Sequence, residues 1–448
     1  MNKSRNKLKL SPIQILALGY LFIIFAGALL LSLPISSAKG TSQPFIDSIF
    51  IATSAISTSG LTVVDIGSYY SFFGQIVIML LFQIGGIGYM TFVVFIAHIF
   101  GMGLPFKTSV IAKESLATDS LHMLGKFFRK VIIFTVFFES IGAVILAIFW
   151  MNEFPPLYAI YLGIFHSIST FCTAGFSTFS SSLMNSKDSL IMNLTIDILS
   201  LVGGIGFFVL IDLYNYYYRR FKGIFPNRLT LHSKIALFVT SIVIVIGSLV
   251  IFISEKWPEN NSFYEKLIIS FFQSISASTT DGFNSIDIGA MSAASLTILM
   301  VLMFIGASPG STGGGMKTTT LAVLFIAIES YFRGKERINV FYRELPFETV
   351  TKSFVLFSLF IVITVIDALI LANTEKASYI QVLFEIVSAL GNTGLSTGIT
   401  PELSYIGKSV LTISMFIGRV GPLMIGTAFI IKKKYYPIRY ATEDIFVG

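Results

Sequence analysis

The amino-acid sequence predicts an all-α polytopic membrane protein. It has four tandem repeats, each an outer helix, a short re-entrant helix, a polar loop and an inner helix. Three observations predict this: an apolar composition, eight segments long enough to cross a bilayer, and one glycine-containing string that recurs four times. Of 448 residues, 54% are hydrophobic and 12% charged, and the mean hydropathy is +0.81. A soluble chain carries roughly twice that charged fraction. Most side chains, including 44 phenylalanines, must therefore meet something other than water.

A helix needs about 20 apolar residues to span the hydrocarbon layer. The segments that qualify are Pro12–Leu33, Phe72–Ile99, Phe127–Trp150, Ser189–Tyr214, Ser233–Ile253, Met291–Ser330, Val350–Leu371 and Ser404–Ile431. The first is too long in its apolar run for a cleaved signal and is read as a retained span. Basic residues collect in alternate connections. Lys3, Arg5, Lys7 and Lys9 precede the first span, and Lys107, Lys113, Lys126, Arg129 and Lys130 follow the second. Arg219, Arg220, Lys222, Arg228 and Lys234 follow the fourth, and Arg333, Lys335, Arg337, Arg343 and Lys352 follow the sixth. Lys432, Lys433, Lys434 and Arg439 close the chain. Positive charge stays on the cytoplasmic side, so both termini are expected there. The pI near 9.2 is thus a topology signal and not a nucleic-acid footprint.

The resulting division is a cytoplasmic basic tail (1–11), repeat 1 (12–103), a cytoplasmic loop (104–126) and repeat 2 (127–218). A second cytoplasmic loop (219–232), repeat 3 (233–332), a third loop (333–349), repeat 4 (350–431) and a cytoplasmic C-terminus (432–448) follow.

The four connections on the other side each begin with an apolar stretch too short to cross: Phe45–Ser57, Tyr158–Thr170, Phe263–Ala277 and Tyr379–Leu390. Each leads into a polar string, and the four strings align without gaps: SAISTSGLT, STFCTAGFS, SASTTDGFN and SALGNTGLS. Six positions before the shared glycine stands Ser54, Ser169, Ser276 or Ser388. Directly before it come Thr58 and Ser59, Thr173 and Ala174, Thr280 and Asp281, or Asn392 and Thr393. The glycines are Gly60, Gly175, Gly282 and Gly394. Non-helical backbone is tolerated at membrane depth only where protein or water satisfies it. Four such strings returning toward one axis would form a ring of carbonyl oxygens able to replace the hydration shell of a potassium-sized ion. Glycine permits the φ/ψ values this needs and adds no side chain.

An outer span, a pore helix, a filter loop and an inner span, four times over, resemble the Trk/Ktr/HKT superfamily of potassium transporters. The resemblance covers residues 12–431 and is closest to the bacterial Ktr-type, KtrB-like membrane subunit, because the first repeat follows directly on the basic tail. It implies potassium uptake across the cell membrane, with K+ held by the filter backbone carbonyls. In plant members a serine at the first filter glycine goes with sodium preference; Gly60 therefore implies potassium. The resemblance also implies a homodimer, Na+ as an activator, and a cytosolic ring of KtrA/KtrC-like nucleotide-binding subunits through which ATP and ADP act. No covalent cofactor is expected. The partners are membrane lipid and these subunits, with no nucleic acid.

Met291–Ser330 is about 60 Å long as one helix, twice the hydrocarbon thickness. It must break, and the string from Gly306 through Pro309, Gly310, Gly313, Gly314 and Gly315 marks the place. The stretch 306–315 is read as an intramembrane gate loop with Lys317 at its end, the alternative being a plain kink. Its likeness to a phosphate-binding loop fails, because Met316 shifts Lys317 by one and no strand precedes it. Smaller clusters, Gly85–Gly88, Gly203–Gly206 and Gly418–Gly421, suit close helix packing or room for that loop. Arg419 sits mid-span, a functional candidate by default. It either guards the pore constriction and anchors the loop, or pairs with Glu139, Asp197 or Asp367. Asp281 either draws cations to the mouth or braces its loop. His166 and Cys172 read as packing residues.

Other classes fit less well. His98, His122, His166 and His232 show no ligand spacing and the carboxylates are scattered, so an enzyme is not expected. Organic-solute transporters use inverted repeats, whereas all four repeats here share one orientation. A sodium-preferring conductor of the same fold remains the nearest rival.

Overall fold

The computed structural model describes residues 12–88, 121–225, 227–259, 261–335, 337–421 and 443. The basic tail, most of the 104–126 loop, the ends of the second and eighth predicted spans and the C-terminal lysines lie outside the described residues.

Twelve helices set out the architecture as four sequential triplets. The outer helices are Pro12–Ser32, Leu121–Trp150, Leu231–Ser254 and Phe347–Thr374. The short helices are Phe45–Ser57, Pro156–Phe171, Phe263–Thr279 and Tyr379–Gly391. The inner helices are Phe72–Ile87, Leu190–Ile205, Ala293–Ile305 and Tyr405–Val420. Each inner helix starts on a serine, Ser71, Ser189, Ser292 or Ser404, whose side chain accepts a first-turn backbone N–H. Serine at this position satisfies a donor that the helix itself leaves orphaned.

Every inner helix then stops at a glycine of positive φ: Gly88 (85°), Gly206 (97°), Gly306 (70°) and Gly421 (92°). Only the third of these breaks was expected. The fourth predicted span, Ser189–Tyr214, is not one straight helix. It bends by 98° at Gly206 and continues as Phe207–Phe221. The third inner segment resumes as Thr318–Phe332 after the loop between them. Among the described residues three continuous helices, Phe127–Trp150, Leu231–Ser254 and Phe347–Thr374, are long and apolar enough to cross a bilayer, or four if the bent pair counts as one span. Among the described residues the inner helices Phe72–Ile87, Ala293–Ile305 and Tyr405–Val420 are each shorter than a full span and end at a glycine. Asn339–Val340 and Arg343–Glu344 form a small antiparallel hairpin in the third basic connection.

The molecule is apolar outside as well as inside. Phe22, Phe137, Ile148, Leu249 and Leu369 are exposed on the outer helices. Inside, the short and inner helices touch at backbone distance. A Cβ on Gly85 would collide with the carbonyl oxygen of Ile56, one on Gly203 with that of Phe171, and one on Gly418 with that of Leu390. In each case the carbonyl lies four residues before the string glycine. The first and last repeats are joined by an ion pair, Lys408 Nζ to Asp47 Oδ1 at 2.7 Å, largely out of solvent. One apolar cluster spans both, with Phe50 and Ile78 beside Leu411 and Met415.

Gly85→Ala should force that helix contact apart and destabilise the protein by about 1–3 kcal/mol. A lowered Tm of the purified chain in detergent checks it.

Candidate functional site

The four strings share one backbone conformation. Each short helix is followed within two residues by a left-handed residue that is not glycine: Thr58 (φ 55°), Thr173 (49°), Thr280 (59°) and Asn392 (53°). The following residue has ordinary negative φ, and the glycine after it is positive again, at 83°, 67°, 87° and 92°. Such alternation turns successive carbonyls to the same side of the strand. Left-handed threonine is costly and persists only where its surroundings over-determine it.

Those surroundings are visible. The backbone N–H before each glycine donates to the carbonyl of the recurring serine: Ser59 to Ser54, Ala174 to Ser169 and Asp281 to Ser276 at 2.8 Å, and Thr393 to Ser388 at 2.9 Å. Ser169 and Ser276 also donate their hydroxyls to Phe176 and Phe283 carbonyls beyond the glycine, at 2.8 and 2.6 Å. Ser388 accepts the Gly394 N–H at 3.0 Å. The recurring serine is thus a staple across the turn.

The glycines close a ring. A Cβ on Gly60 would lie 2.6 Å from the carbonyl oxygen of Ala174, and one on Gly175 would lie 2.5 Å from that of Asp281. One on Gly282 would strike the Thr393 carbonyl, and one on Gly394 the Ser59 carbonyl. Each glycine therefore faces the residue before the next glycine in cyclic order, one to two to three to four and back to one. Eight of the twelve residues singled out in the strings, the glycines and those directly before them, meet at this ring.

The broken third inner segment reaches it too. Thr312 carries most of the contact, a residue that sequence reasoning passed over among its glycine neighbours. Its carbonyl accepts from Thr58 Oγ1 at 3.2 Å. Its hydroxyl pairs with Thr173 Oγ1 at 3.2 Å and donates to the Phe171 carbonyl at 3.1 Å. The Gly314 N–H donates to Thr280 Oγ1 at 2.9 Å, and a Cβ on Gly314 would press on Asn392. One loop thus touches the left-handed residue of all four strings. Lys317 (φ 94°) folds back, donating to the carbonyls of Gly313 and Gly314 at 2.7 and 2.9 Å. Gly306 lies against Gly315, closing the base of the loop. Pro309 and Gly310 lie under the bend, where Phe207 N–H donates to the Gly310 carbonyl at 2.9 Å.

Arg419 joins ring to loop. It donates to Thr58 Oγ1 at 3.0 Å, to the Thr312 carbonyl and to the Gly85 carbonyl. No carboxylate pairs with it among the described residues. Glu139 instead accepts from Gln83, and Asp367 from Ser414. The Asp281 carboxylate is buried without a hydrogen-bond partner among the described residues, while its backbone N–H holds the turn through Ser276. His166 bonds Ser177 and stacks near Trp150 and Phe179. Cys172 lies 3.4 Å from Gln83 Oε1. Glu385, buried and hydrogen-bonded to the stretch after Gly394, was not singled out. The signal for it was its place nine residues before the glycine, the same as His166. Among the described residues no cluster of three or more His, Cys, Asp or Glu side chains could hold a metal.

The fold is that of a helical ion-transport protein. A crystal structure of the potassium transporter TrkH from Vibrio parahaemolyticus matches with a TM-score of 0.73, covering 96% of this chain and 87% of that one at 21% identity. Residues 20–436 match the TrkH family, described as cation transport protein. The chain belongs to that family, one of integral membrane transporters and not of enzymes. It is 35% identical to the potassium/sodium uptake protein NtpJ of Enterococcus hirae, across 100% of this chain and 99% of that protein. It is 38% identical to the Ktr system potassium uptake protein B of Bacillus subtilis, across 98% of this chain and 97% of that protein. The Vibrio alginolyticus protein of the same name is 35% identical, across 99% and 96%.

Thr312→Val removes the hydroxyl contacts to Phe171 and Thr173. Amide hydrogen exchange across 306–317 should quicken about fivefold for each hydrogen bond lost. Mass spectrometry of the exchanged peptides reads it.

Proposed function

We propose that this protein takes up potassium through the ring of four strings, which acts as the selectivity filter, with the 306–317 loop as its gate. The observation that carries the reading is the cyclic contact of each string glycine with the carbonyl-bearing residue of the next string. Carbonyl rings of this kind select ions by replacing their hydration shell with backbone dipoles. Gly60 brings no side chain to its place in the ring, and the resemblance to transporters in which a serine there goes with sodium preference favours potassium. A second reading, passage of sodium as well, draws on the name of the Enterococcus hirae relative.

The bonds from Thr312 and Gly314 to the strings support a closed gate. Arg419, uncompensated by any described carboxylate, would repel a cation from below while anchoring the loop. Opening then requires Thr312 and Arg419 to let go together. The expected cytoplasmic connections, 104–126, 219–232 and 333–349, are too short to form a domain that senses a signal. We assign that task to a separate nucleotide-binding ring docked on a homodimer, in keeping with the Ktr system names of two relatives. The distribution of lysine and arginine supports cytoplasmic termini.

The filter is tested by rubidium uptake into vesicles containing the purified chain, competed with potassium or sodium. The wild type should prefer potassium and Gly60→Ser should lose that preference. Equal competition by both ions, insensitive to the substitution, would remove the ring from the conduction path. For the gate, Arg419→Gln should raise basal rubidium flux about tenfold by releasing charge-assisted hydrogen bonds. Unchanged flux would show that Arg419 does not hold the gate shut.

A further inference from the structure

The short helices share a register, so the residue nine places before each glycine occupies an equivalent position. Those residues are Ile51, His166, Gln273 and Glu385, all fully buried. Two and a half turns away from the glycine along the helix, three of them reach across to the chain that leaves the ring. His166 donates from Nδ1 to the Leu162 carbonyl at 2.9 Å, which leaves Nε2 to accept from Ser177 Oγ at 3.1 Å and from the Thr178 N–H at 3.4 Å. Gln273 donates to Ser285 Oγ at 3.4 Å. Glu385 accepts four hydrogen bonds. Ser396 Oγ (2.7 Å), the Thr397 N–H (2.9 Å) and Thr397 Oγ1 (3.2 Å) share Oε1, and Thr400 Oγ1 (2.7 Å) takes Oε2.

The partner changes with the helix residue. Three places after the glycine stand Thr178, Ser285 and Thr397 where the helix offers His, Gln and Glu, but Val63 where it offers Ile51. Ile51 and Val63 are buried in the same apolar cluster. A buried hydroxyl without a partner is costly, and so is a polar side chain facing an aliphatic one. The two side chains are therefore matched in the first, third and fourth repeats, whereas in the second His166 takes the Thr178 backbone N–H and the Thr178 hydroxyl has no partner among the described residues.

We propose that the residue nine places before each filter glycine is a positioning residue for ion selection. It pins the outer end of the filter loop to its own pore helix, most firmly at Glu385 and by apolar contact alone at Ile51. This rests on the filter reading above. Carbonyls held at a fixed spacing favour one ion size. The loop immediately beyond the glycine sets that spacing, and the brace fixes that loop. Bracing is graded around the ring: four bonds in the fourth repeat, two in the second, one in the third and none in the first.

The test is rubidium uptake by the purified full chain in vesicles, competed with potassium and sodium, for wild type, Gly60→Ser, Glu385→Ala and Glu385→Gln. Glu385→Ala should lose about tenfold in potassium-over-sodium preference, the order expected when charge-assisted hydrogen bonds are removed. The loss should lie in a higher KM for potassium with Vmax held within about twofold. Glu385→Gln keeps one carbonyl acceptor and should recover most of it. Wild-type selectivity in Glu385→Ala would overturn the proposal, as would a loss confined to Vmax or one that Glu385→Gln does not mend. If Gly60→Ser alters selectivity and Glu385→Ala does not, only the brace falls. If neither does, the filter reading itself falls. Should Glu385→Ala not fold, the exchange of pairs decides. Gln273→Ile and Ser285→Val should each weaken selectivity alone, while together they recreate the first repeat's pair and restore it. Simple addition of the two losses would overturn the proposal.

Discussion

Backbone that leaves the helical conformation inside a membrane protein cannot borrow hydrogen bonds from lipid. Five stretches of this chain do so at one place, the four strings and the loop from Gly306 to Lys317. The first three strings find hydrogen-bond partners in the loop, and the fourth meets it by contact. The recurring serines hold the turn within a string, and the glycine faces let the strings meet. Thr312 and Gly314 then take up what the left-handed residues leave open. The inner helices obey the same constraint: each stops at a glycine, and Gly85, Gly203 and Gly418 allow the short helices to sit against them without a side chain between.

Fourfold symmetry is kept in the backbone and relaxed in the side chains. Thr58, Thr173 and Thr280 all turn their hydroxyls to the loop, whereas Asn392 donates to the Met415 carbonyl at 2.8 Å and meets the loop by contact. Arg419 has no counterpart in the other inner helices, where Gly86, Gly204 and Phe304 stand two residues before the terminal glycine. With Lys317 on the loop, Arg419 breaks the fourfold symmetry of the site. Its bonds go to two carbonyls and a hydroxyl, none of which cancels its charge.

The short helices and strings were legible because apolar length and glycine spacing are local properties of a sequence. Pro156–Phe171, for one, departs from its expected bounds by only two residues at the start and one at the end. The break near Gly306 was equally plain, since no helix of that length fits a bilayer. The bend at Gly206 was not. A glycine inside an apolar run reads as packing until a partner such as Gly310 is known to claim the next N–H. Thr312, Gln273 and Glu385 were missed for a related reason. Their roles depend on which chain segment lies opposite, and a hydroxyl or a buried carboxyl carries no mark of that in one repeat alone. The partner of Arg419 was left open between loop and carboxylate. Only the fold brings Thr58, 361 positions away, within reach.

The cyclic order of the ring carries a consequence for synthesis. The string of the first repeat is completed by the string of the fourth, and Asp47 by Lys408, also 361 positions later. Chains are made from the N-terminus and insert as they emerge. The earliest turn therefore waits, with a left-handed threonine and an open edge, until nearly all of the remaining chain has been made. Closing so wide a loop costs entropy that only the finished circle returns. A nascent chain cut short after three repeats would hold three sides of the ring and leave the first and third strings without their contacts to the fourth.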